Sequence, residues 1–303
     1  MSIHELRAML NAPAPPLIQP SRHCKNPYSC NFLEYCTRNM PEHWILELSG
    51  ISQKKLDELE AMGIEGIRDV PDSYSLTALQ ERIKKCVVNK EEFISKDIEG
   101  ELKNVIYPVH FLDFETVGPA IPCYAGTRPY QTIPFQWSDH LLTENGILEH
   151  KEYLCIDDKD PREEFAYTLL AALGKNGTIF IYTTYEKGII EALAEYFPQL
   201  RSELLLIIDR FKDLCAIIRK HFYHPDFHGS FSLKSVLPTI VPDMDYGNLA
   251  IQEGNQASLE YLRMIDPSIS LEEKGRIKKE LLIYCGYDTL AMVKIREELI
   301  KRC

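Results

Sequence analysis

The sequence predicts an α/β domain with a mixed sheet flanked by helices, preceded by a small helical extension that contains cysteines. From about residue 107, short apolar runs typical of buried strands alternate with amphipathic helical patterns. Residues 1–100 lack this alternation and contain a proline-rich stretch and three evenly spaced cysteines. A hydrophobic content of 45% is enough for a core and excludes a wholly disordered chain.

A length of 303 residues suits two compact units, or one large domain with an extension. We predict a proline-rich tether at residues 1–22, a cysteine motif with a helical region at residues 23–100, and the α/β domain at residues 101–303. The prolines at residues 13–20 have fixed φ angles and no amide donors, which disfavours helix and central strand alike.

Residues 44–62 carry apolar side chains at helical spacing, and Gly63 is predicted to end this helix. The segment 48–70 has the outline of a helix-hairpin-helix, a fold that presents backbone amides to phosphate. Its hairpin lacks the second glycine that such motifs usually contain. A helical connector without DNA contact is therefore the alternative.

Four strands and four main helices are predicted in the α/β domain. The strands are expected at residues 109–114, 131–142, 147–156 and 178–182, and the helices at residues 162–173, 186–197, 211–221 and 272–301. This alternation favours helices on both faces of the sheet.

The net charge of −11 excludes a protein that binds nucleic acid through an evenly basic surface, so phosphate contacts must be local or metal-mediated. No apolar run approaches the roughly 18 residues of a membrane span, and the N-terminus lacks the pattern of a signal peptide. We therefore expect a cytoplasmic protein that does not contact membranes. Six scattered cysteines are expected to be reduced thiols, namely Cys86, Cys123, Cys155, Cys215, Cys285 and Cys303.

Two acidic residues, Asp113 and Glu115, lie two positions apart on the first predicted strand. Their carboxylates therefore leave the same face, about 7 Å apart along the strand. Two like charges at a buried strand are costly unless a cation, shared protons or solvent compensates them. Hard divalent cations prefer oxygen ligands, so this pair is a candidate metal site.

Three further residues complete the candidate site. Glu186 opens a helix directly after the strand at residues 178–182, where a carboxylate also complements the helix dipole without any other role. Tyr284 and Asp288 are four residues apart on the last helix, so a phenol and a carboxylate share one face. A core tyrosine beside a solvated acid is the alternative interpretation of that pair.

The order of these elements resembles the DEDD superfamily of 3′–5′ exonucleases, in its tyrosine-bearing, DnaQ-like branch, which has an RNase H-like fold. The resemblance covers about residues 107–299, and the segment Leu206-Ile-Ile-Asp209 resembles the Asp-bearing strand of such folds. Four segments also resemble an uncharacterised bacterial family of unknown function whose members often follow RecB-like nuclease modules. They are residues 111–116, 126–131, 228–238 and 284–292.

The resemblance implies two Mg²⁺ or Mn²⁺ ions bound by four carboxylates, those of Asp113, Glu115, Glu186 and Asp288. It also implies that Tyr284 orients the attacking water or helps to deprotonate it. The second motif departs from the usual pattern, because its Asn is absent and its acid is Glu186 instead of Asp. Asp209 is the alternative ligand at this position, and Glu186 is preferred because it follows the strand directly.

Substrate contacts are expected from Arg128 and Lys234, which could face a phosphate, and from Tyr130, which could stack on an unpaired base. Phe135 and Trp137 are further candidates for stacking, although ordinary packing explains each of these side chains equally simply. The implied partner is the end of a DNA or RNA strand, in single-stranded form.

The N-terminal cysteines Cys24, Cys30 and Cys36 lie in a segment that resembles the C-terminal cysteine motif of RecB-like nucleases with a [4Fe-4S] cluster. The fourth cysteine of that motif lies upstream of a nuclease core, and no cysteine precedes Cys24 here. One alternative is a zinc site formed by the three cysteines with His23 or His43. The other is three free thiols. We expect the chain to belong to a larger architecture with a RecB-like module.

The predicted function is that of a metal-dependent 3′–5′ exonuclease, a phosphodiester hydrolase with a two-metal mechanism and a role in DNA repair. One alternative is a catalytically weak RNase H-like module that binds nucleic acid or a partner protein. Another is a phosphodiesterase that acts on small nucleotides with the same ions.

Overall fold

A computed structural model describes residues 2–16, 18–25 and 30–303 of the chain. Contacts divide the chain into two compact units, residues 1–91 and residues 92–303. The observed boundary lies before the predicted one at residue 101, because the intervening segment packs within the second unit. For example, the amide of Ser95 donates a hydrogen bond of 2.8 Å to the carbonyl of His221.

The first unit contains four α-helices in the residues that the structure describes. They are α1 (Ile3–Leu10), α2 (Leu33–Thr37), α3 (Gln53–Ala61) and α4 (Ala78–Asn89). Helix α1 lies within the predicted tether, and Ser2 and Glu5 form a capping box at its start. All but one of the described residues of α1 are exposed, so this helix adds little to the core.

The long helix predicted in this unit is interrupted. A 3₁₀ turn forms at Ile45–Glu47, and α3 begins after Ser52, whose hydroxyl caps the helix. Gly63 has a φ of 73° and ends α3, as predicted. The second helix of the predicted hairpin does not form, because Ile67–Asp69 is a single 3₁₀ turn and Pro71 disfavours helix at the preceding residue.

The second unit consists of seven strands and eight α-helices in the described part of the chain. The strands are β1 (Phe93–Ile94), β2 (Val109–Val117), β3 (Ile133–Leu142), β4 (Leu148–Leu154), β5 (Thr178–Ile181), β6 (Phe211–Asp213) and β7 (Phe222–Tyr223). The helices are α5 (Ile98–Lys103), α6 (Arg162–Leu173), α7 (Tyr185–Tyr196), α8 (Arg201–Ile208), α9 (Leu214–His221), α10 (Leu233–Ile240), α11 (Gly254–Ile265) and α12 (Leu271–Lys301).

Five of these strands form one mixed sheet in the order β4-β3-β2-β5-β6. Strands β4, β3 and β2 are antiparallel, whereas β5 and β6 run parallel to β2. Helices cover both faces. The predicted α/β class with a mixed sheet flanked by helices is thus confirmed, and β2 lies at its centre.

The two faces of β2 differ in character because side chains alternate along a strand. Leu112 and Phe114 lie in a core cluster with residues of α6, α7 and α8. Asp113 faces the other side, where the thiol of Cys285 in α12 lies 3.7 Å from its Oδ2 atom. Glu115 pairs in register with Gln136, whose side-chain amide donates to the carbonyl of Leu281 in α12. The acidic pair therefore lies on the sheet face covered by α12.

The expectation of an Asp-bearing strand at residues 206–209 is wrong. Leu204 and Ile207 are buried at helical spacing within α8, and Asp209 is the exposed residue that ends this helix. The parallel strand is β6 instead, and its last residue, Asp213, caps α9 by accepting a hydrogen bond of 2.7 Å from the amide of Ala216. The helix predicted at residues 211–221 consequently begins three residues later.

Among the helices of the described residues, none combines the length and the apolar character that crossing a membrane requires.

Candidate active site

Strand β2 and helix α12 place four of the predicted site residues around one cavity. Asp113 and Glu115 come from β2, and Tyr284 and Asp288 come from successive turns of α12. All four line a cavity of about 480 Å³. Its lining also includes Lys234 at the start of α10, so the structure brings these five residues together.

Three ligand atoms come especially close together at this cavity. One atom each from Asp113, Glu115 and Cys285 lie within 4.8 Å of one another. Asp288 and Glu186 are outside this group. Sequence reasoning assigned Cys285 to the scattered thiols, although its position beside Tyr284 and one turn before Asp288 was a signal for its proximity.

The cavity concentrates negative charge in a buried place. Burial raises the pKa of Asp113 well above its usual value, and the charges of Asp288, Glu186 and Glu115 raise it further. Burial and the charge of Asp288 likewise raise the pKa of Glu115. The pKa of Asp288 is raised to about 6 by burial. The metal-free site therefore retains protons at pH values where ordinary carboxyls have lost theirs.

Two neighbours oppose the rise in the pKa of Asp288. The hydroxyl of Tyr246 donates a hydrogen bond to its Oδ1 atom, and the positive charge of Lys234 favours its ionised form, so both lower the pKa of Asp288. The ammonium of Lys234 lies 5.6 and 5.7 Å from the ring centroids of Tyr246 and Tyr284. Tyr246 lies in the segment between α10 and α11, and no motif in the sequence distinguishes it.

Glu186 lies beside the cavity without lining it. This residue of the first turn of α7 is 3% exposed, and its Oε2 atom has no hydrogen-bond partner among the described residues. Burial raises the pKa of Glu186 to about 7, and a hydrogen bond with Asp113 opposes the rise. The backbone is strained three residues before Glu186, because the β-branched Thr183 has a φ of 137°.

The alternative ligand at this position is not supported by the geometry. Asp209 is exposed at the end of α8, whereas Asp213 of β6 is the acid whose charge raises the pKa of Glu186. Asp213 ends the parallel strand next to β5, and this position was the signal that could have identified it. The prediction instead placed that strand in the short apolar run of α8.

The remaining substrate candidates are distributed differently. Arg128 lines a second space, a groove of about 670 Å³ that shares Tyr185 with the cavity. Tyr130 is 75% exposed and lines neither this groove nor the cavity. Phe135 and Trp137 are buried, and Phe135 stacks on Tyr261. The suggestion that these last two aromatic rings stack on bases is therefore wrong.

A further cavity of about 540 Å³ lies between β4 and α12. The stacked rings of His140 and His150 contribute to its lining, and burial lowers the pKa of His140 to about 4. None of the predicted catalytic or substrate residues lines this cavity.

The donor set at the carboxylates fits a hard divalent cation. Oxygen atoms dominate it, and the unpaired Oε2 of Glu186 is a buried acceptor that needs a positive partner. Burial raises the pKa of the Cys285 thiol well above its usual value. Because thiolates and not thiols are good ligands for soft metals, the site fits Mg²⁺ or Mn²⁺ better than zinc.

The N-terminal cysteines do not converge. Cys24 is buried, Cys30 and Cys36 are exposed, and all three are free. Within residues 2–16, 18–25 and 30–303, no group of three close ligand atoms contains any of them. A cluster or zinc ion at these cysteines stays a prediction.

Comparisons with known proteins identify one similarity. Residues 110–232 match the model of a domain of unknown function (DUF2779). The matched segment includes Asp113, Glu115 and Glu186 and ends before α12. No curated protein and no solved structure matched the chain.

Proposed function

We propose that the protein is a divalent-metal-dependent phosphodiester hydrolase, a 3′–5′ exonuclease that acts on nucleic-acid ends. One observation carries the proposal: Asp113, Glu115 and Asp288, from a central strand and a distant helix, line one cavity together with Tyr284. Such a concentration of buried negative charge is unfavourable without cations. The cavity is also large enough for a terminal nucleotide to approach the carboxylates.

Two further features support the nuclease interpretation. The mixed sheet flanked by helices agrees with the RNase H-like fold that the resemblance implies. The acids also follow the DEDD order of strand β2, the junction of β5 with α7, and the C-terminal helix.

The ions would be held by Asp113, Glu115 and Asp288, with Glu186 close behind Asp113. When bound, divalent ions activate water and stabilise the negative charge that develops on a phosphodiester. Burial and the carboxylates raise the pKa of Tyr284, so its phenol stays protonated and can donate a hydrogen bond. In this protonated form Tyr284 would orient water or a phosphate oxygen.

Lys234 is the cation nearest to the carboxylates along the cavity lining. Its charge lowers the pKa of Glu115 and Asp288, which shows that its field reaches both groups. An exposed ammonium at the mouth of an acidic cavity attracts the substrate's phosphate and offsets the net negative charge of the protein.

A catalytically weak module that binds nucleic acid or a partner protein is the second candidate. The position of Glu186 favours it, because this carboxylate is buried outside the cavity and hydrogen-bonded with Asp113. A site with three acids in place is less well equipped to hold two ions than one with four.

Incubation of 5′-labelled single strands with Mn²⁺ separates the two candidates. The exonuclease shortens the strands from the 3′ end, Asp113→Ala abolishes the shortening, and Asp209→Ala at an exposed position retains it. Binding of the strands without Mn²⁺-dependent shortening would support the second candidate instead.

A further inference from the structure

A groove of about 670 Å³ continues from the catalytic cavity along α7. Tyr185 lines both spaces, and its hydroxyl is hydrogen-bonded at 2.6 Å to that of Thr116, which also lines the cavity. The floor of the groove is one face of α7, on which Tyr185, Gly188, Ala192 and Tyr196 recur at helical spacing.

Two exposed aromatic rings mark the ends of this face. Tyr185 and Tyr196 are 46% and 45% exposed, and their offset of eleven positions corresponds to about 16 Å along the helix. The space between the rings is open, because a Cβ atom added to Gly188 would meet nothing within 4 Å. At the spacing of about 3.4 Å per stacked nucleotide, this distance accommodates roughly four of them.

Two arginines, Arg128 and Arg162, line the groove together with Glu195. Arg128 is exposed on the segment before β3, and Arg162 at the start of α6 is 3% exposed. Asp160 accepts hydrogen bonds from Nε and NH2 of Arg162, at 2.5 to 3.1 Å. The NH1 atom has no hydrogen-bond partner within the described chain.

The guanidinium of Arg162 also fixes one of the aromatic rings. It lies over the ring of Tyr196, 3.7 Å from the centroid. A ring held in this way, with about half of its surface exposed, is a preorganised stacking surface. The combination of stacking rings, arginine donors and continuity with the cavity suits one class of ligand.

We propose that this groove binds the unpaired part of a nucleic-acid strand next to the scissile phosphate, with bases stacked on Tyr185 and Tyr196 and a phosphate contacting the exposed Arg128. The inference rests on the proposed function and adds a binding site for several unpaired nucleotides beyond the cavity. Stacking on exposed rings requires bases with a free face, which a paired duplex does not offer along its length. A dinucleotide is too short to reach Tyr196 from the cavity.

Fluorescence polarisation with the full chain in EDTA tests the groove without cleavage. The probes are fluorescein-labelled oligothymidylates and oligouridylates, from dimer to dodecamer, and a duplex of equal length. The expected Kd falls with length, reaches a plateau, and is at least about tenfold weaker for the duplex, since stacking contributes strongly per base. A lower Kd for either the DNA or the RNA oligonucleotides also supports the proposed groove, and it identifies which nucleic acid is the natural ligand.

Variants give the sharper comparison. Tyr196→Leu should raise the Kd of the dodecamer about tenfold, because it removes one stacking surface. Arg128→Gln, at an exposed position where folding is safe, should raise the Kd and reduce the salt dependence by about one released counterion. Glu195→Gln, which removes a carboxylate from the groove, should lower the Kd. Tyr167→Leu, at an exposed tyrosine of α6 outside the groove, should leave the Kd unchanged.

A Kd that is independent of oligonucleotide length would overturn the proposal that the groove binds single strands. Equal effects of Tyr196→Leu and Tyr167→Leu on the Kd would overturn it as well. If Mn²⁺-dependent cleavage is nevertheless lost in Asp113→Ala, the proposed exonuclease stands and the groove alone fails. Length-dependent binding that needs Tyr196, without any cleavage, would support the groove and refute the catalytic proposal.

Discussion

The hydroxyl of Tyr246 donates a hydrogen bond to Asp288 Oδ1, joining two residues 42 positions apart. The bond holds the carboxylate of Asp288, which lines the cavity, and it favours the ionised form of Asp288. Partners of this kind, which hold a metal ligand in place, commonly contribute about 10- to 100-fold to metal affinity or activity.

Tyr246→Phe should therefore weaken Mn²⁺ binding about tenfold while the fold is retained. Without the hydroxyl, the pKa of Asp288 rises, and its carboxylate loses its fixed orientation. Titration calorimetry with Mn²⁺ measures the effect. Tyr287→Phe is the matched control, because it removes a hydroxyl that donates to the backbone carbonyl of Asp245. Equal Mn²⁺ affinities of the two variants would contradict the role of Tyr246.

Metal binding should stabilise the second unit. A cation bound at the carboxylates removes their mutual repulsion, and ligand at about 100 times its Kd adds roughly 2.7 kcal/mol to the free energy of unfolding. The melting temperature should rise by about 5 °C or more in Mn²⁺.

Asp113→Asn separates this effect from unspecific stabilisation by salt. The substitution removes the repulsion that Asp113 feels from Asp288, Glu186 and Glu115, so the metal-free variant should melt higher than the metal-free wild type. It should also lose the increase caused by Mn²⁺. Asp209→Asn should behave like the wild type, and an undiminished Mn²⁺ response of Asp113→Asn would refute the site.

The buried carboxyl of Glu186 predicts a specific pH dependence in EDTA. Its pKa is raised from 4.5 to about 7 in the folded protein, so the folded state binds this proton more tightly than the unfolded state. The resulting stabilisation is fully present below pH 4.5 and is lost as the pH rises through about 7. Relative to Glu186→Gln, the wild type should lose about 3 kcal/mol over this interval.

Chemical denaturation of both proteins at several pH values measures the difference directly. The comparison cancels the acids that are remote from Glu186, such as Glu273, whose pKa is lowered by its hydrogen bond with Arg276. Parallel stability curves for the wild type and Glu186→Gln would show that Glu186 titrates normally.

Lys234 should contribute to substrate affinity through charge. Lys234→Met should weaken the binding of single strands several-fold and reduce the salt dependence by about one counterion. The exposed Lys151 of β4 provides the control, and Lys151→Met should leave both quantities unchanged. If the two variants have the same salt dependence, Lys234 does not contact phosphate.

The sequence was most informative where local signals agree with tertiary packing. Helix α6 has both of its predicted ends, because Gly174, with a φ of 55°, follows its last residue. The apolar run at residues 204–208 misled the prediction, since a short apolar run fits a buried strand and a buried helix equally well.

At the site, the spacing of Asp113 with Glu115 and of Tyr284 with Asp288 was sufficient to predict which side chains share a face. Tyr246 could not be predicted, because its contact with Asp288 depends on how the segment between α10 and α11 folds back. The buried position of Glu186 outside the cavity also depends on packing, and spacing along the chain contains no information about it.

The most direct test of the central claim is an anomalous difference map from a crystal soaked in Mn²⁺. A strong peak is expected in the cavity between Asp113, Glu115 and Asp288, and it should be lost in Asp113→Ala. A map with saturating Mn²⁺ and no peak among these carboxylates would refute the metal site.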